Sequence, residues 1–446
     1  MRIAVIGAGI IGVTTAYELG RDGHNVTVFE RCGTVAAETS FANAGVIAPG
    51  YVTPWAAPGM PAKVLGHVFS QHSPVRVRPT LNPGTLAWLW KWWRACNART
   101  YQANRLRMQR LAGYSRERLH ELTRGLKLEY ERSDGYLVLL RTAKDLAMVQ
   151  PGLVSLKELN TRFETLDATQ CRRVEPGLNP EMPLHAGIHL PNDEVGNCRQ
   201  FAYLLRAEAQ HLGVTFRFHT QVGRIIAGRH PQIMHTNISP EASRFEASNG
   251  AGRSRGDTLP MDEAPDVEAF DAVIVCAALD ALPLLRPHGL KLPLQAVYGY
   301  SVTAPLRQFE AHPDHGPRSA LMDERFKVAI SRLGARVRVA GSAEIGGPPR
   351  QYNKAALATL YKVLHDWFPG VARMSQAQRW KGARPMLPDG PPVLGPSGIE
   401  GVWLNLGHGS SGWALSCGSA RLLADAVAGR PAAIDIEGLG LARLGA

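Results

Sequence analysis

Apolar positions along this chain follow two periods. Arg2 to Ile6 ends in a continuous apolar run, the mark of a buried strand, and Ile10 to Leu19 carries its apolar residues at helical spacing. Gly20 and Gly23 end that helix, and Val26 to Glu30 reads as a second buried strand. A strand–turn–helix–strand unit is thus complete within the first thirty residues.

Further along, the spacing predicts helix over much of Leu86 to Arg124 and strands at Tyr136 to Arg141 and Gly187 to Leu190. An amphipathic helix follows over Arg199 to Leu212, with a strand at Val214 to Phe218 after the stop at Gly213. Ala272 to Cys276 is unbroken apolar sequence, as in a parallel strand covered on both faces. Val297 to Thr303, Val328 to Ser331 and Val337 to Ala340 read as short antiparallel strands, and Ala355 to Phe368 and Leu415 to Ala428 as helices. Thr53 to Pro83, rich in Pro, Gly and His, is expected to be an irregular excursion over a ligand. Residues 229–266, polar and without period, are expected to form a flexible surface loop. The fold class expected is α/β, a parallel part with an antiparallel part inserted. The binding domain is expected over 1–60, 195–290 and 376–430, and a substrate domain over 61–194 and 291–375.

Composition narrows the function classes. The 446 residues are 45% hydrophobic and 20% charged, as in an ordinary globular protein with room for two or three domains. A net charge of +12 suits an anionic ligand, a membrane surface or nucleic acid. No nucleic-acid motif accompanies it, so no nucleic-acid partner is expected. The six cysteines show no CxxC pair or zinc spacing and are expected to be reduced, buried and metal-free. No apolar run approaches the ~20 residues of a spanning helix. The amino terminus lacks the pattern of a signal peptide, and a cytoplasmic location is expected.

The chemistry begins at Gly7-Ala8-Gly9-Ile10-Ile11-Gly12, directly after Ile6. Gly7 permits a tight turn, Gly9 removes the Cβ that would obstruct a pyrophosphate, and Gly12 lets the helix pack close to the strand. The helix amino terminus offers unpaired N–H groups to phosphates. Glu30, followed by Arg31, ends the second strand, where a carboxylate can accept both ribose hydroxyls and disfavours a 2′-phosphate. The turn alone leaves FAD and NAD open. A second glycine-rich turn, Gly407-His408-Gly409-Ser410-Ser411-Gly412-Trp413, follows an apolar strand, Val402 to Leu406, and opens a helix. Its amides suit an anion or the polar edge of a flavin.

Several long segments carry a resemblance. They are Glu38-Thr39-Ser40-Phe41-Ala42-Asn43-Ala44-Gly45, Pro54-Trp55-Ala56-Ala57-Pro58-Gly59, Trp88 to Met108, Leu190 to Cys198, Gly299-Tyr300-Ser301-Val302-Thr303, Gly382-Ala383-Arg384-Pro385-Met386, Pro388-Asp389-Gly390 and Asn405 to Gly418. With them the chain resembles, over nearly its whole length, the D-amino-acid oxidase superfamily of FAD enzymes, most closely the bacterial D-amino-acid dehydrogenases. The resemblance implies a glutathione-reductase-type FAD-binding Rossmann-like domain with an inserted antiparallel substrate domain, and FAD as the cofactor. It implies oxidative deamination of D-amino acids to 2-oxo acids and ammonia, by hydride transfer from the α carbon to flavin N5. The electrons would pass to a non-oxygen acceptor such as a quinone or another respiratory-chain component. The alternatives are an oxidase or dehydrogenase of glycine, sarcosine, D-proline or hydroxyproline, and a flavin-binding module without catalysis.

The same resemblance assigns roles. Arg384 matches the carboxylate-binding arginine, and a bidentate guanidinium suits that task. Arg332 stands where relatives place substrate-facing residues, and Tyr300 or Tyr298 could hydrogen-bond the carboxylate or close the pocket. His408 invites reading as a base from its ordinary pKa of ~6.5. Ser40, Ala42, Asn43, Ala44 and Gly45 are expected beside the ribityl chain and ring, Val222 at the adenine, and Ala277 near the flavin. Leu86 to Arg94 holds four tryptophans among basic residues. It reads either as an interfacial helix in peripheral contact with the inner face of the cell membrane or as an aromatic face buried in the protein.

Overall fold

Apolar strands covered on both faces build a parallel sheet around β1 (Arg2–Ile6), whose last four residues are buried. A computed structural model describes residues 1–67, 72–78, 82–158, 160–239, 265–307 and 315–445. In it β1 pairs in parallel with Asn25–Phe29 on one side and Ala272–Val275 on the other. The six strands run in the order Val393–Pro396, Val402–Leu406, Ala272–Val275, β1, Asn25–Phe29, Thr215–Arg217. Only Val393–Pro396 is antiparallel. The helix α1 (Ile10–Arg21) and the helices Cys198–His211 and Gly412–Val427 share one core with this sheet.

A charged staple holds those helices. The Glu18 carboxylate, fully buried, accepts from Arg118 Nε at 2.6 Å, Arg118 Nη2 at 2.9 Å and Arg421 Nη1 at 2.8 Å. It thereby joins α1 to the helices Ala98–Leu126 and Gly412–Val427.

The second sheet is ten-stranded and mostly antiparallel. Its edge strand Gln378–Met386 pairs with Gln295–Pro305, which pairs with Arg336–Ile345, and Val328–Leu333 follows. Two pairings are parallel: Ala320–Asp323 with Ser133–Leu140, and Val75–Val77 with Arg336–Ile345. One face packs on the helix Lys354–Trp367. The other receives residues 43–45 from the first domain: Arg338 Nη1 donates to Asn43 O at 2.7 Å and Ser331 Oγ to Ala44 O at 2.7 Å. A bulge breaks the register between Tyr298 and Tyr300, and Ser342 on the bulged strand has φ +56°.

The expected α/β class with an antiparallel insertion is the observed one, and four stretches differ from expectation. The helical span is two helices, Pro83–Ala95 and Ala98–Leu126, separated where the Asn97 side chain caps the second by accepting from Thr100 N. The helix Ala143–Glu158 was hidden because Pro151 and Gly152 lie within it. Within 229–266, Gln232–Asn237 is a strand between Thr220–Ile226 and Asp266–Ala269 rather than loop, and residues 240–264 lie outside the described residues. The excursion over 53–83 likewise contains the helix Met60–His67 and the strand Val75–Val77. All six cysteines are free thiols, five of them buried. No helix among the described residues is long and apolar enough to cross a membrane.

Removing one partner from a buried ion-pair cluster strands the others without compensation. Glu18→Ala is expected to lower unfolding free energy by about 3–5 kcal/mol, measured by urea denaturation. A midpoint equal to wild type would show that the staple contributes nothing.

Candidate active site

The first glycine turn is shaped by close approach. Gly7 has φ +100°, and a Cβ on Gly12 would lie 1.8 Å from Gly7 O, so both glycines are required by the turn itself. Gly9 is different. A Cβ there would meet only Ser40 Oγ, at 3.6 Å, so its missing side chain leaves open space at the amino terminus of α1. That space is part of a cleft of about 1010 Å³, whose wall includes Ile6, Gly7, Gly9, Ile10, Ile11, Glu30 and Arg31. Ala8 and Gly12 stand behind this wall. Glu30 is held in place by Ala8 N–H to Oε2 at 2.6 Å and Cys32 N–H to Oε1 at 2.8 Å. Burial pushes its carboxyl up, with those N–H groups opposing. Arg31 pairs with Glu38 and, at 2.9 Å, with Asp280. An extended cleft, a carboxylate at one end and a helix amino terminus with room before it fit a dinucleotide.

The cleft continues past Val222 and Ala277 to Ser40 and the second glycine turn, where Gly407, His408, Gly409 and Gly412 line it. Ser410 and Ser411 form the helical turn behind them. Ser40 Oγ accepts from Ile10 N at 3.1 Å. Ala42, Asn43, Ala44 and Gly45 are not in the cleft wall. Their backbone joins the domains, through the two bonds from Arg338 and Ser331 and through Trp413 Nε1 donating to Gly45 O at 3.2 Å.

His408 is buried, with Nε2 3.1 Å from Ser419 Oγ. Burial lowers its pKa to about 3, so it is neutral at ordinary pH and a very weak base.

Arg384 lies at the edge of the cleft. Ala383 O, just before it, accepts from the cleft residue Thr39 Oγ1 at 2.7 Å, and Pro385, just after it, is in the cleft wall. The guanidinium itself lies across Gly299, where a Cβ would be 2.4 Å from Nη2, and Nη1 donates to Ser342 O at 3.1 Å. Burial lowers its pKa to about 10, which leaves it cationic at neutral pH. Among the described residues it is in no ion pair.

The other three candidates do not gather around it. Tyr300 points to the opposite sheet face, into the core against Lys354–Trp367, and its hydroxyl donates to Glu344. Tyr298 lines the cleft, its ring 4.3 Å from the buried Lys381 ammonium on the face away from Arg384. Arg332 pairs with Val337, which pairs with Ala304, whereas Arg384 pairs with Val297. That is three strands and seven residues away, roughly 20 Å or more. Its donors go to Pro317 O and Gly334 O. The shared strand pattern could not tell which face each tyrosine takes or where on the sheet each arginine falls.

The sequence reading missed several cleft residues. Thr39 and Asn405 line it, as do Trp88 and Lys91 from the tryptophan helix. Trp88 Nε1 donates to Met386 O at 3.0 Å. A signal existed for Trp88: with Trp92 it falls at i, i+4, the spacing of one helix face. Trp88 and Trp92 are buried, while Trp90 and Trp93 are 57% and 53% exposed and stacked at 5.1 Å. No cluster among the described residues could hold a metal ion.

The model of the family described as FAD dependent oxidoreductase matches residues 2–426. A protein of Rhizorhabdus wittichii named D-amino acid dehydrogenase is 42% identical over 445 residues, covering 99% of this chain and 100% of that one. One of the same name from Cereibacter sphaeroides is 41% identical over 449 residues, covering 100% and 96%. Among solved structures, glycine oxidase from Geobacillus kaustophilus superposes with a TM-score of 0.71 at 18% identity, covering 99% of this chain and 98% of its own. L-proline dehydrogenase from P. horikoshii gives 0.69 at 13%, covering 100% and 97%. At these identities the two structures share the fold.

The two glycines separate binding from folding. Gly9→Val is expected to fold, since only Ser40 Oγ lies near, yet to lose the dinucleotide, read as no thermal shift on adding FAD. Gly12→Ala is expected to lose the folded state, read by circular dichroism. A Gly9→Val protein that retains FAD would refute the placement of the pyrophosphate.

Proposed function

This chain belongs to the FAD dependent oxidoreductase family, and from that premise we propose that it oxidises the Cα–N bond of D-amino acids. The product imine is hydrolysed by water to a 2-oxo acid and ammonia. Support comes from relatives near 40% identity and almost full coverage that are named D-amino acid dehydrogenase. The single observation that carries the reading is Arg384, a cation beside the cleft with no acidic partner among the described residues.

FAD is the cofactor, and when bound it accepts the hydride from the substrate carbon. Gly7, Gly9, Glu30, Ser40 and the turn Gly407–Gly412 would hold it. The protein's own work is orientation. Arg384 is rigidly placed by Ser342 O and can take an α-carboxylate bidentately, fixing which substrate hydrogen faces the cleft. The neutral His408 adds no charge and takes no proton, which suits a reaction that removes a hydride from carbon. Tyr298 closes one side of the cleft.

We further read the acceptor as a quinone or other respiratory-chain component, reached from a peripheral contact with an anionic membrane. Leu86, Trp90 and Trp93 expose an apolar face on the same helix that puts Trp88 and Lys91 into the cleft wall, with Arg94 beside them. Exposed tryptophans flanked by cations suit the headgroup region.

Anaerobic D-alanine should bleach the flavin absorbance, and turnover should need a quinone or dye. Fast peroxide formation without one would sink the dehydrogenase assignment. Arg384→Ala is expected to keep its flavin while KM rises about 10²-fold or more, as for loss of one partner of a desolvated charge pair; unchanged kinetics would refute the clamp. Trp90→Ala with Trp93→Ala should abolish sedimentation with anionic vesicles without altering dye-linked turnover. Retained sedimentation would reject this helix as the contact.

A further inference from the structure

Next to Arg384 a second set of side chains is arranged without partners of its own. Along Gln295–Pro305, side chains at alternate positions share a face, which places Gly299, Ser301 and Thr303 on the side of Arg384 and Arg338. Directly across on Gln378–Met386, Gly299 pairs with Gly382 and Ser301 with Trp380. The Trp380 ring folds over Gly382: a Cβ there would lie 1.7 Å from Cη2 and 2.0 Å from Cζ2. Arg384 folds over Gly299 in the same way. Both glycines have given up their side-chain space, and cross-strand partners are about 5 Å apart. The guanidinium and the indole therefore lie side by side over this glycine pair.

Three polar atoms on these strands and the adjoining strand Arg336–Ile345 have no hydrogen-bond partners among the described residues. They are Trp380 Nε1, Ser301 Oγ and Ser342 Oγ, all buried. Ser301 is 1% exposed and Ser342 5%. Buried polar groups are nearly always paired, so three such atoms on the strands beside one cation mark a place that a ligand completes. The indole N–H can only donate, and a serine hydroxyl can donate as well. Ser301 is one alternate position beyond Gly299, roughly 7 Å along the strand. Among the described residues no second free cation is at that end, because Arg338 already serves Thr303 Oγ1 at 2.9 Å and Asn43 O at 2.7 Å.

We propose that Trp380 and Ser301 form the side-chain subsite of the substrate pocket, and that it selects D-amino acids whose side chain ends in a carboxamide. The α-carboxylate lies on Arg384, and the carboxamide oxygen accepts from Trp380 N–H and Ser301 O–H. A site built to pair a polar group discriminates strongly against an isostere that leaves its donors empty. This rests on the D-amino-acid reading above.

D-Asparagine and D-leucine have nearly the same shape, so their comparison isolates the hydrogen bonds. The test measures kcat/KM of the holoenzyme for both with a dye acceptor, in wild type, Trp380→Phe and Ser301→Ala. Trp380→Phe keeps the aromatic ring and Ser301→Ala keeps the strand, and flavin absorbance verifies each fold. Wild type is expected to favour D-asparagine. Each variant should lose about tenfold or more on D-asparagine and stay within about threefold on D-leucine. Preference for D-leucine in wild type, or equal changes on both substrates, overturns the subsite while the reaction stands. If no D-amino acid reduces the flavin, the reaction itself fails and the subsite with it.

Discussion

Residues 39–45 carry the contact on which the rest depends. In seven residues this segment meets the cofactor turn, both sheets and the carboxy-terminal helix. Ser40 Oγ accepts from Ile10 at the start of α1, Thr39 donates to Ala383 in the second sheet, and Arg338 and Ser331 donate to Asn43 and Ala44. Trp413 then donates to Gly45, whose φ of +86° and lack of a Cβ let it lie against Gly196. Most of these bonds end on backbone carbonyls, so they fix the path of the chain rather than any one side chain. The distance between the α1 amino terminus and Arg384 is set here. If this segment shifted, the glycine turn and the arginine would each remain intact, but no longer belong to one site.

Charge is distributed around that contact by burial. Glu18 shows how the protein treats cations that serve structure: Arg118 and Arg421 both meet carboxylates at hydrogen-bond distance. Arg384 is held differently, with one backbone carbonyl and, among the described residues, no acid. A desolvated cation without an anion is unfavourable until one arrives, which is the ground for the carboxylate clamp proposed above. His408 shows the same medium acting on a weaker base, which burial simply keeps neutral. The cleft wall itself carries both signs of charge, with Arg31 meeting Glu38 and Asp280, whereas Arg384 beside it is in no ion pair among the described residues.

The tryptophan helix answers a question that the sequence left as two alternatives, an aromatic core face or an interfacial one. It has both. Trp88 and Trp92 pack inward with Val297, Ile345 and Met386, while Trp90 and Trp93 face solvent. Helical geometry makes this unavoidable, because residues two apart point to different sides while those three or four apart share one.

Local chemistry made the dinucleotide turn legible: Gly7, Gly9, Gly12 and Glu30 act within thirty residues, where sequence order and spatial order coincide. The apolar runs of the parallel sheet were legible for the same reason, since burial on both faces leaves no ambiguity of phase. The helix over Ala143–Glu158 and the strand Gln378–Met386 were not, because Pro151, Gly382 and Pro385 interrupt the pattern. What the tertiary structure alone decided was the company each candidate keeps. Strand pairing and packing put Tyr300 into the core, left Arg332 three strands away and laid Arg384 across Gly299 of the neighbouring strand. Strand pairing is a long-range choice, and one residue of register exchanges the two faces of a sheet. The sequence could therefore name the cofactor turn and the arginine, and only the fold could bring them to one cleft.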